Sequence, residues 1–330
     1  MDELSYRVSE ESDLPGLLRL WEEAGWGTLS PEQWREWFVD GPEGPCLITV
    51  ATDSRGEVVG QEIFAPSRVS VAGREARALR FSAPVLRREL RGESLRREAH
   101  PVVGLFKAAA AAARERGFEI VYSLPEHAWL RILRLAPRFG QPRFDSVTFG
   151  CAELPLAAAA GPRLERAARS VEALPVARFG AEYEELWRQA QRSFPIACGV
   201  VRDAAWLTFR NSGRITLEVR AKDDGSLVGY SATKRQTGLL ADALARGPER
   251  LTAVIAATAV RLRELGEVTG KITHLKAMRT PALEPALDAL GFAPVDYRFA
   301  FTCNALGGSL AEGAGSEPTA PKRWYVMPGD

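Results

Sequence analysis

The chain runs through the same succession of elements twice, and that repetition limits its fold more than any single motif does. VVGQEIFA at 58–65 is answered by LVGYSATK at 227–234. AAAAAARERGFEIVYSLP at 108–125 is answered by TAVRLRELGEVTGKITHL at 258–275, and RFGQPRFDSVTF at 138–149 by GFAPVDYRFAF at 291–301. The offsets, about 150 to 170 residues, match the length of a domain and exceed any solenoid period. A chain of 330 residues is long enough for two such domains. The reading that follows is a duplication, with residues 1–154 and 174–330 as the two domains. Residues 155–173, PLAAAAGPRLERAARSVEA, are read as a linker with some helical character.

The first half opens with a short strand, Tyr6 to Val8, and a helix bearing Leu17, Leu18 and Trp21 with Ser12 or Asp13 as N-cap. SPEQWREWFVDGP at 30–42 is a second helix with Ser30 as cap, Pro31 at the first position and Gly41 as its stop. Strands follow, separated by turns at Asp53–Gly56 and Ala72–Gly73. Next comes a helix begun by Pro101, with Val103, Phe106, Ala110 and Ala113 at helical spacing. Arg114 and Arg116 complement its C-terminal dipole, and Gly117 is placed to cap it in the left-handed conformation. Six consecutive alanines, Ala108 to Ala113, let this helix approach a sheet closely. Phe118, Ile120, Val121 and Tyr122 then form a strand, and a further helix and one or two strands close the half. The predicted order is β-α-α-β-β-β-α-β-α-β-β, and the second half repeats it from helices near 182–190 and 203–210 onward. The start of the helix at Pro101 offers free N–H groups, for which a phosphate is a natural occupant.

Net charge is +1, which excludes a nucleic-acid surface dominating the whole chain. Cys46, Cys151, Cys198 and Cys303 are scattered without paired spacing, which predicts reduced thiols and neither a disulfide framework nor a metal site. MDELSYRVSEESD is acidic and polar, so no secretory signal is expected, and no apolar run approaches the roughly 20 residues of a spanning helix. A cytoplasmic protein without a membrane span is the expectation.

The element order, the RGFEIVYSLP step from helix to strand and the late ALGF resemble the GNAT superfamily, the Gcn5-related N-acetyltransferases, present in tandem over nearly the whole chain. VRDAAWLTFR and the closing RWYVMPGD are similar to tandem members related to Fem-type aminoacyltransferases. The resemblance implies an α/β (α+β) fold: two tandem GNAT-like domains, each a mixed, mostly antiparallel sheet flanked by helices and splayed by a bulge at its central strand. It also implies that acyl-CoA, or the phosphopantetheine of an acyl-carrier protein, lays its arm at that splay, with its phosphates on the following loop and helix. Such loops read Arg/Gln-x-x-Gly-x-Gly/Ala, so that backbone N–H groups approach the phosphates. Here RGESL at 91–95 carries Ser94 where a glycine is expected, and HPVVGLF at 100–106 keeps Gly104 without the leading Arg or Gln. The candidate donor contacts are Arg91, Gly92, Ser94, His100, Val102, Val103 and Gly104, with Arg87, Arg88, Arg96 and Arg97 supplying charge. His100 either caps its helix or touches the carrier. The second half has only RGP between GLLADALA and its helix, so the donor is expected in the first half and an acceptor wall in the second.

Acyl transfer to an amine needs a base, a donor to the oxyanion and a proton for the departing thiolate, and no covalent nucleophile. Glu126 and His127, after the strand ending SLP, are the candidate bases, and Tyr122 a proton donor to the thiolate or a core residue. His274, on the equivalent strand of the second half, and Asp242, a carboxylate in the apolar run LLADALA, are the remaining candidates. The function implied is transfer from an acyl-CoA or carrier-protein thioester to a small-molecule or peptide amine, with no metal. The alternatives are Fem-like aminoacyl transfer from a charged tRNA, which the arginine-rich 87–97 segment suits, and a catalytically silent binding scaffold.

Overall fold

The computed structural model describes residues 4–82, 84–91, 100–133, 144–269, 272–306 and 320–330. The elements of the first half are β1 (Ser5–Val8), α1 (Leu14–Glu23), α2 (Pro31–Phe38), β2 (Leu47–Thr52), β3 (Val58–Val71), β4 (Arg74–Phe81), β5 (Val85–Leu86), α3 (Pro101–Glu115), β6 (Ile120–Ser123), α4 (His127–Leu133) and β7 (Asp145–Pro155). Those of the second are α5 (Pro162–Ala168), β8 (Val171–Pro175), α6 (Ala181–Ser193), β9 (Cys198–Val200), α7 (Ala204–Arg210), β10 (Ile215–Ala221), β11 (Leu227–Thr233), β12 (Leu240–Ala245), α8 (Pro248–Thr269), β13 (His274–Arg279), α9 (Glu284–Leu290), β14 (Ala293–Ala305) and β15 (Trp324–Tyr325).

Local signals set the element ends. Ser30 accepts from Gln33 N at 3.2 Å while Gln33 Oε1 accepts from Ser30 N, a capping box for α2. Asp13 stands at the N-cap of α1 but caps nothing there; its carboxylate pairs with Arg7 at 2.6 Å and accepts from Glu10 N. Gly117 follows α3 at φ +73° and Gly291 follows α9 at φ +81°, conformations that penalise a Cβ.

The chain forms two compact units, and neither is a continuous segment. The first takes the chain up to Val69, Arg74–Val147 and the stretch that begins at Ala300. The second takes Ser70–Gly73, Thr148–Phe299 and Lys322–Asp330. The strand order in the first is β1-β2-β3-β4-β6-β14. Its β1–β2, β2–β3 and β6–β14 pairs are antiparallel, and β4–β6 is parallel. The end of β14 thus lies against β6, Cys303 opposite Tyr122. In the second unit β12-β11-β10-β8 form an antiparallel sheet, and β13 pairs with the far end of β7, His274 opposite Pro155. Each unit therefore borrows the end of a strand from the other half of the sequence. The linker expected at 155–173 is instead the end of β7, a short 3-10 turn, α5 and the opening of β8.

Helices cover both faces of the first sheet. Thr49 of β2 and Glu62 of β3 are cross-strand partners, and Thr49 Oγ1 donates to the Leu105 carbonyl of α3, so this face is the one α3 covers. Leu47 and Phe64 share it and pack with Ala109, Ala112 and Ala113. Ile48 and Ile63, one residue on, face the opposite way and pack with Leu17, Trp21 and Trp34. Among the described residues no helix is long and apolar enough to cross a membrane.

Glu62 is fully buried, and neither carboxylate oxygen has a partner among the described residues. Burial raises its proton affinity well above the ordinary 4.5. The folded chain then keeps a proton that the unfolded chain releases, so stability falls as pH rises above the ordinary carboxylate range. Glu62→Gln is expected to gain on wild type steadily as pH is raised through neutrality. Urea midpoints across a pH series check this, and parallel profiles would refute it.

Candidate functional site

The two parallel strands β4 and β6 lie in register from Ala78 opposite Ile120 to Arg80 opposite Tyr122. Beyond them β4 is interrupted. Ser82 N donates to Ile63 O at 3.0 Å, and Val85 of β5 resumes pairing with Gln61. The chain advances three residues, from 82 to 85, while β3 advances two, from 63 to 61. The register against β3 thus shifts by one residue between Ser82 and Val85, the mark of a β-bulge. At the ends of β4 and β6 lies a cavity of about 700 Å³. Arg80, Ser82, Ser123 and Glu126 line it from the strand ends, His100 from the start of α3, and Trp26 and Trp129 from the sides. Ser123 Oγ donates to the Phe81 carbonyl at 2.8 Å and ties the two strands at the cavity floor.

The start of α3 is not the open cluster of N–H groups expected from the sequence. His100 is buried, and its Nδ1 accepts from Val102 N at 3.2 Å. Val103 N and Gly104 N both reach the His100 carbonyl, at 2.9 and 3.4 Å. All three amides have partners in the chain, and of the two roles open to His100 the cap is the one it fills while also lining the cavity. Gly104 answers to packing: a Cβ there would overlap the Tyr6 ring of β1. Gly104→Ala is therefore expected to destabilise the first unit by about 1–3 kcal/mol, the cost of overpacking, and Tyr6→Ala in the same chain to recover part of it. Urea unfolding of the two single variants and the double variant measures the coupling; additive losses would overturn the packing role. Arg91 lines the cavity with its Nε on the Leu86 carbonyl at 2.8 Å. Gly92, Ser94, Arg96 and Arg97 lie outside the described residues.

The candidate bases separate. Glu126 is exposed and lines the cavity, in a turn held by its carbonyl accepting from Trp129 N at 2.9 Å. His127 is the exposed first residue of α4 and is absent from the cavity lining. Tyr122 is buried on the opposite face from Val121, its hydroxyl donating to Ser67 at 3.2 Å, so it sits in the core and away from the cavity. His274 bonds the Thr273 hydroxyl through Nδ1 at 2.9 Å.

Asp242 is wholly committed to structure. It is fully buried, takes the Tyr230 hydroxyl at 2.6 Å, its own neighbour Ala243 N at 3.0 Å and the guanidinium of Arg202 at 3.1 Å. Arg202 also grips Asp330 at 2.9 Å and sits among the rings of Trp187, Trp206 and Tyr325 at 5.1–5.5 Å. Burial opposes the charge on Arg202, but Asp242 and Asp330 outweigh it and hold the guanidinium charged. This knot fastens the segment from Trp324 to Asp330 along β12, where Gly329 N donates to Ala241 O at 2.7 Å and the Tyr325 hydroxyl to Ala243 O. β12 has its own register shift, opposite Ala232 and Thr233, and just before it Leu239 forms an isolated parallel bridge to Lys276 of β13. Backbone that in the first unit faces a cavity is here covered by the chain itself.

Strand order, central bulge and parallel pair define a class, a mixed sheet split at its middle strands, built twice. That architecture is the GNAT fold in tandem. No family model matches the chain, and no curated protein does. Among solved structures it is similar to a GCN5-related N-acetyltransferase from Anabaena variabilis, at 12% identity over 92% of this chain and 73% of that one, TM-score 0.64. A probable N-acyltransferase from Enterococcus faecalis matches at 13% identity over 91% and 72%, TM-score 0.63. A tandem GNAT protein from the clavulanic acid biosynthesis pathway matches at 15% over 93% of this chain and its own full length, TM-score 0.55.

Proposed function

We propose that the first unit binds an acyl thioester, as acyl-CoA or on an acyl-carrier protein, and that the protein transfers the acyl group to an amine. The observation that carries this reading is the bulge between Ser82 and Val85, with the 700 Å³ cavity at the ends of the parallel strands beside it. In this fold that is where the carrier arm lies. The phosphates would rest on arginine side chains, Arg91 first, because the amides of Val102 to Gly104 are already bonded. The Glu126 carboxylate at the rim would take the proton from the attacking amine, and the small or peptide acceptor would carry that amine.

The second unit takes no donor in this reading, since Tyr325 to Gly329 occupy the backbone of β12. Calorimetric titration with acetyl-CoA is therefore expected to give one site per chain. Arg91→Ala should weaken that site about tenfold, within the range for a hydrogen bond to a charged group. Two sites per chain, or none, would overturn the assignment. Binding without transfer to any of a panel of amines would make the protein a silent scaffold.

A further inference from the structure

The second unit holds a cavity of about 750 Å³ that the acyl-transfer reading does not use. It opens between the end of β8, the start of β10 and the turn after α7, with Leu265 and Ile272 at its side. That is the size of a small-molecule site. Its charged lining is Arg178, Arg214 and Arg235, and among the described residues no acidic side chain lines it.

One side chain in it is out of balance. Asn211 closes α7, with its N–H on the Leu207 carbonyl at 3.1 Å, and is only 5% exposed. Its Oδ1 accepts from Arg214 Nη1 at 3.1 Å, while its Nδ2 has no partner among the described residues. A buried donor left without an acceptor costs about 1–3 kcal/mol, so the site favours a ligand that brings one. Arg214 stands beside it, bonded to a neutral amide. Arg235 braces the same turn through the carbonyls of Gly213 and Arg214.

We propose that this cavity binds a small organic carboxylate, its head on Arg214 and the Nδ2 of Asn211 and its carbon body along Phe179, Leu265 and Ile272. A planar pair of oxygens suits a guanidinium fork with an amide N–H beside it. The apolar walls then shelter the rest of the ligand. Burial, followed by the nearby Arg210, lowers the proton affinity of Arg214 against the opposing pull of Asp242 and Asp330, and an anion in the cavity would add to the groups that favour its charge. The site lies wholly within the second unit and stands independently of the donor reading.

The test is calorimetry on the full chain with hexanoate, phenylacetate, their primary amides and inorganic phosphate, run with and without saturating acetyl-CoA. At least one carboxylate is expected to bind at one per chain, its amide at least tenfold weaker, and phosphate not to displace it. Arg214→Gln and Asn211→Leu should each weaken the carboxylate at least tenfold and leave acetyl-CoA binding unchanged. If Arg214→Gln does not fold, as circular dichroism would show, Asn211→Leu decides alone. No saturating carboxylate, equal binding of the amide, displacement by phosphate, or wild-type affinity in the folded variants would each overturn the proposal.

Discussion

Replacing Asp242 with alanine is expected to cost the second unit about 3–5 kcal/mol, the penalty for removing one partner of a buried ion pair. Both Asp242 and Arg202 are 0% exposed, so the guanidinium would be left with Asp330 as its one carboxylate, beside the Val200 carbonyl, and the Tyr230 hydroxyl without its acceptor. Asp242→Asn, which still accepts from Tyr230 but carries no charge, should fall between. The chain has two units and need not unfold in one step, so the quantity to follow is the transition of the second unit in urea, fitted separately. Turnover by the folded fraction should match wild type. Wild-type stability with lost turnover would instead return Asp242 to the chemistry.

Glu126→Gln is expected to lower kcat by ~100-fold, the lower end for losing a general base, with the KM for the donor nearly unchanged. His127→Ala should stay within about twofold of wild type, because His127 is absent from the cavity lining. Thiol release from acetyl-CoA, with the best amine from a screened panel, measures both. Equal losses in the two variants would mean that α4 acts as a positioned element and Glu126 is no base. A wild-type rate in Glu126→Gln would take the carboxylate out of the mechanism.

Local structure is legible in the sequence where one residue governs one turn. Ser30, Pro101 and Gly117 each mark a helix end through backbone chemistry that needs no partner far away. The duplication is legible for the same reason, since it is a pattern of periods and caps. Strand partners are not, because pairing is decided by residues far along the chain. VTFGCAEL and YRFAFTCNA are alike in period and apolarity, and nothing local says that each ends in the other half's sheet. β8 reads as linker because it is only five residues long and the alternation of Val171 and Ala173 with Glu172 is broken by the exposed Leu174.

Site residues divide along the same line. Glu126, which lines the cavity, is reached from the sequence through the resemblance, which implies acceptor-side groups after the strand ending SLP. Ser123, Arg80 and Trp26 are not, since a serine at a strand end or a tryptophan after a helix has no signature of its own. Asp242 is conspicuous as a charge in an apolar run, and that signal is sound. Its meaning is a buried cation elsewhere, Arg202 in GVVRDAAW, and not an exposed base. Gly104 is conspicuous as well, and its neighbour is a tyrosine ring where a phosphate was expected.

The exchange of strand ends also sets a schedule for synthesis. When a ribosome has made the chain through β6 and the start of β7, the edge of β6 has no neighbour, because the residues that pair with it, Thr302 to Ala305, are still unmade. At about 5–20 residues per second, that interval is roughly 10–30 s. For that time the nascent first unit presents an unpaired apolar strand edge, the kind of surface that recruits another chain. A fragment cut after residue 154 would keep the same edge permanently, whereas adding a separate fragment that carries β14 should close it.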